Sequence, residues 1–249
     1  MASGDLSMTG AMTRAGALAC VLATMAILIP VALAERSSES SLRTMGQAGW
    51  DMPLLQPLAS QRGHSCTQPD DGTLSAIVPV ATDHGSFASG VVFDINRVLT
   101  AAHAVQGGQE FFVRVGEVFQ LADLLMVDHV NDLAVLAVDT RTINPLIIAG
   151  FDPAEAQTVW AAGYPRAQAM MTSSGVLQAT REGDLHSSAT IDSGQSGGGL
   201  LGCNDGAWEM LGMLRGYGTY LQGDRYVKLP NHSVSVAAAT INEFLSSQH

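Results

Sequence analysis

From Leu74 onward the apolar residues fall in short runs of strand length, interrupted by turn residues at intervals close to ten. The first set reads LSAIVPV, SFASGVVFD, RVLTAA, FFVRV, FQLADLLMV and LAVLAVD. A second set reads TVWAAGYP, SGVLQAT, LHSSATI, GLLGC, EMLGMLRG and RYVKL. Val, Leu and Ala dominate, and short runs with such regular punctuation predict an all-β barrel or sandwich. The final segment, SVSVAAATINEFLSSQ, breaks the habit: Val236, Ile241, Phe244 and Leu245 follow near-helical spacing, which predicts a short C-terminal helix over about 233–247. Asn144 to Asp152 is the natural crossover between the two strand sets and divides the domain, 73–249, into halves of about 73–142 and 143–230.

Two segments precede the strands. Residues 35–72 are rich in Ser, Gln and Pro without sustained periodicity, the texture of a loosely ordered arm. Residues 1–34 carry Arg14, an apolar stretch from Ala15 to Ile29, the helix-breaking Pro30, and Ala32-Leu33-Ala34 ahead of the polar Glu35. That is the pattern of a secretory signal peptide cleaved after Ala34, and it predicts a secreted or periplasmic protein. An uncleaved membrane anchor is the competing reading, because about 20 apolar residues can span a bilayer; the A-x-A site close behind Pro30 favours cleavage. Cys20 lies inside the apolar run, with Ala17 where a lipobox usually carries leucine, so it does not suit lipid attachment.

Composition narrows the function classes. A hydrophobic fraction of 47% supports a substantial core, while the net charge of −11 and a single lysine, Lys228, argue against nucleic acid as a partner, which needs clustered cations. Removing residues 1–34 takes away Asp5 and Arg14 and leaves the charge at −11. Two cysteines then remain, Cys66 and Cys203, as a disulfide tying the arm to the core or as two buried thiols; export favours the bridge.

One stretch asks for chemistry. TIDSGQSGGGLL, residues 190–201, surrounds Ser196 with four glycines and no bulky neighbour. A flexible loop has no reason to place glycine on both sides of one hydroxyl, whereas a nucleophile turn needs unhindered backbone N–H groups there. A serine hydroxyl is a weak nucleophile at neutral pH, so it requires a base within reach and a third group to orient that base. RVLTAAHAV ends a strand in small residues and delivers His103 at the turn, and VNDLAVLAVD sets Asp132 just before a largely apolar strand. Asp123, Asp128 and Asp139 lie nearby, but Asp132 alone has both the Asn-Asp-Leu context and the following LAVLAV.

At these residues the chain resembles the chymotrypsin-like (trypsin-like) serine peptidases: TAAH, NDLAVL and GQSGGG occur in the family's order of His, Asp and Ser. The resemblance covers roughly residues 74–228, and the short interval from His103 to Asp132, with AAGYP at 161–165, is similar to the bacterial branch of glutamyl endopeptidases and Deg-type proteases. It implies two antiparallel six-stranded β-barrels with the active site in the cleft between them. It also implies Ser196 as nucleophile, His103 as general base and then acid, Asp132 as orienting carboxylate, and the N–H groups of Gly194 and Ser196 as oxyanion hole. The expected activity is that of an exported endopeptidase acting on peptides or proteins. No cofactor is required, since three side chains and a backbone turn suffice for acyl transfer, and no PDZ-like domain is expected after the barrels.

The turn departs from the common GDSGGP in two places. Gln195 stands where many relatives carry an aspartate that pairs with a newly released N-terminal amine; being neutral, it predicts activation without that switch and a side chain that fixes the turn by hydrogen bonds. Gly199 replaces proline and removes a constraint on the strand start. By the same resemblance the primary pocket lies between Thr190 to Ser193, including Ile191, and the MLRGYG segment with Met213, Arg215, Gly216 and Gly218. Thr190 at the position nearest the pocket base disfavours cleavage after Lys or Arg, Arg215 is either an attractor of acidic side chains or solvent-facing, and the open glycines favour small or medium apolar side chains.

Two rivals stand beside this reading. Gly194, Ser196 and Gly198 also satisfy G-x-S-x-G, the nucleophile elbow of α/β-hydrolases, which would make the chain a serine esterase; that fold needs several βα units and the rest of the triad after the serine, and GGGLL is a poor helix start, each glycine costing about 1 kcal/mol against alanine. The other rival is a trypsin-like module that keeps its triad and binds without cutting. Ser173 and Ser174 read as turn residues, and His64, His84, His129, His186 and His232 as scattered loop residues without metal-ligand spacing.

Overall fold

The computed structural model describes residues 66–151 and 153–247. The expected signal peptide over 1–34, most of the expected arm over 35–72, and His64 therefore lie outside the described residues. The strands are β1 (Ile77–Thr82), β2 (Phe87–Asp94), β3 (Arg97–Ala101), β4 (Phe111–Val115), β5 (Val118–Asp128) and β6 (Leu133–Ala137), then β7 (Thr158–Gly163), β8 (Met171–Arg181), β9 (Asp184–Ser187), β10 (Gly199–Asn204), β11 (Ala207–Gln222) and β12 (Arg225–Ala237). Each apolar run of the sequence supplies one strand. All pairings between them are antiparallel, and they close two barrels, in the order β1-β2-β3-β6-β5-β4 and β10-β11-β12-β9-β8-β7. Closure leaves no free sheet edge in either half.

Burial explains the two halves. Ile77, Leu99, Leu133 and Leu136 fill the first barrel, and the same apolar cluster runs on through Leu201, Met210 and Met213 of the second barrel. Leu177, Leu185, Leu200, Leu211 and Leu214 form the second barrel's own core. A C-terminal helix, Ala238–Ser246, adds Ile241 and Phe244 to the first cluster. The helix is shorter than its spacing predicts, because Ser233 to Ala237 complete β12: Ser233 pairs with Ser187, and Val236 with both Asp184 and Met213. The alternation Ser-Val-Ser-Val is the period-two signature of a strand, and barrel closure uses it. Ser173 and Ser174 are likewise in β8, opposite Ala161 and Trp160, rather than in a turn.

Cys66 and Cys203 are bridged, with Cα atoms 5.8 Å apart and a sequence separation of 137. The bond fixes the chain just before the first barrel to β10 of the second. A cross-link closing so long a loop removes much of the unfolded chain's freedom. Replacing both cysteines with serine is expected to lower stability by about 2–5 kcal/mol, read from urea unfolding curves extrapolated to water, with m rising as the unfolded chain expands. Among the described residues no helix is long and apolar enough to cross a membrane.

Candidate active site

His103 stands on the single-turn helix Ala102–Val105 that follows β3. Ala102, Ala104 and Val105 are buried, so the imidazole is the one side chain of this turn that projects, with 48% of it exposed. The helix has no capping side chain of its own. Asp132, just before the adjacent strand β6, supplies the missing acceptors: its carbonyl takes the Ala102 N–H at 3.1 Å, and its Oδ1 takes the His103 N–H at 2.9 Å. Its second oxygen, Oδ2, lies 2.8 Å from His103 Nδ1. One carboxylate thus fixes both the backbone and the ring of the histidine.

The turn before β6 presents that carboxylate. Asp128 accepts from the Val130 and Asn131 N–H groups and from Asn131 Nδ2, which bends the chain back, and Asp132 itself has φ 60°. Asp tolerates this left-handed region better than most residues. Asp132 is 8% exposed. Burial alone raises its pKa, but the hydrogen bonds from His103 and the neighbouring charge of Arg215 outweigh it, and the carboxyl is held below the usual 3.8.

Ser196 sits in a tight turn between β9 and β10. Gln195 N–H donates to the Asp192 carbonyl, Gly198 N–H to that of Gln195, and Gly197 N–H to that of Leu214. Gly194 and Gly197 have φ of 95° and 84°, and a side chain at either would collide with backbone, of Arg166 and of Ser89 respectively. Gln195 is buried; its Oε1 accepts from Asp192 N at 2.7 Å and its Nε2 donates to the Met171 carbonyl at 3.3 Å. This is the neutral bracing of the turn that its chemistry predicts. Gly199, in place of proline, begins β10 and pairs with both Ala162 and Met213.

The first barrel reaches over to hold this turn. Buried Ser89 of β2 donates its N–H to the Ser196 carbonyl at 2.8 Å and its hydroxyl to the Gly194 carbonyl at 2.9 Å, and accepts from Tyr164 N–H at 2.8 Å. The Ser193 carbonyl turns aside to accept from Arg166 N–H at 2.9 Å. Among the described residues nothing accepts from the Gly194 or Ser196 N–H. These two donors stand uncommitted beside the hydroxyl. The Ser196 hydroxyl donates to the Arg215 carbonyl at 3.1 Å, and no hydrogen bond joins it to His103. His103 and Ser196 nevertheless line one cleft of about 340 Å³, together with Phe87, Ala88, Gly194, Gly216 and Tyr217.

The pocket residues expected from sequence scatter. Ile191 and Met213 are fully buried, so their side chains do not reach the cleft. Thr190 lies at the surface with its carbonyl taken by the Ser173 hydroxyl, and Gly218 packs against His232. Gly216 does line the cleft, whereas the Arg215 guanidinium is engaged by Asp184 and faces Asp132. Sequence reasoning missed Tyr217 and Lys228. Lys228 donates to the Ile191 carbonyl and to Asp192, and its ammonium lies 4.8 Å from the Tyr217 ring centre, so it ties together the two segments expected to wall the pocket. It also missed Ser89, for which the signal was present: a hydroxyl inside the buried run of FASGVVFD requires partners. His186 and His232 are on neighbouring strands, not loops, with ring nitrogens 3.3 Å apart. Among the described residues no cluster of three or more His, Cys, Asp or Glu is arranged to hold a metal ion.

The model of one protein family, described as a trypsin-like peptidase domain, matches residues 88–213. Among solved structures, the active form of the Rv3671c protease from M. tuberculosis is similar with a TM-score of 0.59 at 20% identity, covering 78% of this chain and 93% of that one. The inactive form of the Rv3671c protease gives 0.59 at 21% identity over 70% and 89% of the two chains. The serine endoprotease from Yersinia pestis gives 0.61 at 22% over 72% and 67%. At these identities the likeness is one of fold. Among curated proteins none matches the sequence.

Proposed function

The chain belongs to the trypsin-like peptidase domain family, and from that membership we propose that it is an exported serine endopeptidase working through Ser196, His103 and Asp132. The observation that carries the reading is the two-point hold of Asp132 on His103, at the rim of the cleft that also contains Ser196 and its two uncommitted N–H donors. In each turnover the Ser196 hydroxyl rotates from the Arg215 carbonyl toward His103 and attacks the substrate carbonyl carbon while the imidazole takes its proton. Asp132 keeps the Nδ1 proton in place, so that Nε2 is free to accept, and stabilises the imidazolium that forms. The Gly194 and Ser196 N–H groups receive the oxyanion. His103 then protonates the leaving amine, and water releases the acyl group from Ser196 by the same sequence in reverse.

The disulfide supports export, since such bonds persist in oxidising compartments. Gln195, with both ends of its amide bonded inside the turn, supports activation without a newly formed N-terminal amine. Phe87, Ala88 and Gly216 along the cleft support acceptance of small or medium apolar side chains, which a peptide-library cleavage profile reads directly. Ser89→Ala removes the prop under the Gly194 carbonyl and is expected to lower kcat by about 10- to 100-fold with KM little changed, measured by steady-state kinetics.

A second reading, a trypsin-like module that binds peptides without cutting them, is favoured by one observation: the Ser196 hydroxyl is bonded to Arg215 and not to His103. A serine-directed fluorophosphonate separates the two. Stoichiometric labelling that vanishes in Ser196→Ala is the expected result; a folded protein that takes no label is the binding module.

A further inference from the structure

Arg215 touches both ends of the catalytic line. Its carbonyl accepts from Ser196 Oγ, and its guanidinium Nε lies 3.7 Å from Asp132 Oδ2. The far side of the same guanidinium is held by Asp184, whose two oxygens lie 3.3 and 3.1 Å from Nη1. Charges of opposite sign therefore alternate from Asp132 in the first barrel to Arg215 and Asp184 in the second. Arg215 and Asp184 also line a cavity of about 720 Å³, separate from the cleft that His103 and Ser196 share.

We propose that Arg215, steered by Asp184, is a positioning residue that sets how much of the Asp132 charge is available to His103. The inference rests on the reading of His103, Asp132 and Ser196 as catalytic. Proton transfer from serine leaves a cation on the imidazole, and that cation is stabilised by Asp132 from one side while Arg215 approaches the same carboxylate from the other. At 3.7 Å this second attraction acts well within the screening length of physiological salt. An arginine free to turn would place its planar fork on both carboxylate oxygens and compete with His103 Nδ1. Asp184 prevents this by engaging Nη1 and by neutralising part of the guanidinium charge.

The other charged or titratable groups around the array are Arg181 and Glu182 at the end of β8, His186 of β9 with its neighbour His232 of β12, and Asp128 and His129 in the turn before Asp132. Among the described residues only His103 and Arg215 come within ion-pair distance of Asp132. Arg215 is also among the causes that hold the Asp132 carboxyl below its ordinary range.

The test compares Arg215→Gln, Arg215→Lys and Asp184→Asn in the full chain. Two readouts are followed: the acidic limb of kcat/KM, and the carbon-13 titration of the Asp132 carboxyl. Arg215→Gln is expected to move both to higher pH and Asp184→Asn to move both to lower pH, each on the order of half a unit, with Arg215→Lys close to the parent. A purely structural role lowers activity without these opposed shifts; limbs that coincide with the parent's, or that move in the same direction in both variants, overturn the proposal. Should Arg215→Gln fail to fold, the direction in Asp184→Asn decides alone. The carboxyl titration needs no turnover. An inactive parent with opposed titration shifts upholds the Arg215 contact and removes the catalytic reading, while an active parent with unmoved limbs does the reverse.

Discussion

Ser196→Ala is expected to lower kcat on a peptide substrate by on the order of 10⁶-fold while leaving the fold intact. The size of the loss follows from the roles being collective: without the hydroxyl, neither the imidazole nor the two N–H donors has a covalent intermediate to act on. Residual hydrolysis comes from binding and from the oxyanion donors alone. The fold survives because the turn is held through its backbone, by Ser89 N–H on the Ser196 carbonyl and Gly197 N–H on the Leu214 carbonyl, and the hydroxyl contributes one hydrogen bond to Arg215. Kinetics and thermal unfolding on the same preparation check both halves. A variant that retains parental turnover excludes Ser196 as the nucleophile, and a variant that unfolds makes the turn's hydroxyl structural.

Asp132→Asn is expected to cost about 10⁴-fold in kcat. The amide can still accept from the His103 N–H through its oxygen, but its NH₂ then faces Nδ1 and favours the tautomer with the proton on Nε2. That ring cannot take a proton from serine. The same substitution has a signature in acid stability. Because the folded Asp132 carboxyl lies below its ordinary value of 3.8, it stabilises the fold fully above the unfolded value, and this contribution is lost as pH falls through the lower folded value. Unfolding midpoints followed from neutral pH down through the carboxylate range should therefore converge for parent and variant at the acidic end. Parallel curves at every pH would show that Asp132 contributes nothing through its charge.

The strands were legible because barrel strands are short, apolar and punctuated, and all twelve runs became strands. The candidate triad was legible because its members carry local signatures: small residues before His103, the Asn-Asp-Leu turn at Asp132, and glycines around Ser196. Their surroundings were not. Arg215 belongs to the expected pocket segment, but it falls at the register shift of β11 between Leu214 and Gly216, and Asp184 of β9 holds its guanidinium away from the cleft that Gly216 and Tyr217 line. Met213 and Ile191 belong to pocket segments in sequence yet point into the cores. β5 forms as its apolar run predicts, yet Val118, Leu121 and Leu125 of that strand are exposed. His186 and His232 meet only because β9 pairs with β12, a contact between positions far apart in the chain that no local pattern announces.

The division of the candidate site between two barrels bears on how the protein is made. A nascent chain that has emerged only through Ala137 carries His103 and Asp132 but no Ser196, and it still lacks Leu201, Met210 and Met213 of the apolar cluster that runs through the first barrel. The serine arrives late, and its turn takes shape only when β10 has inserted between β7 and β11. Synthesis order thus supplies the proposed base and its orienting carboxylate well before the hydroxyl they are proposed to activate.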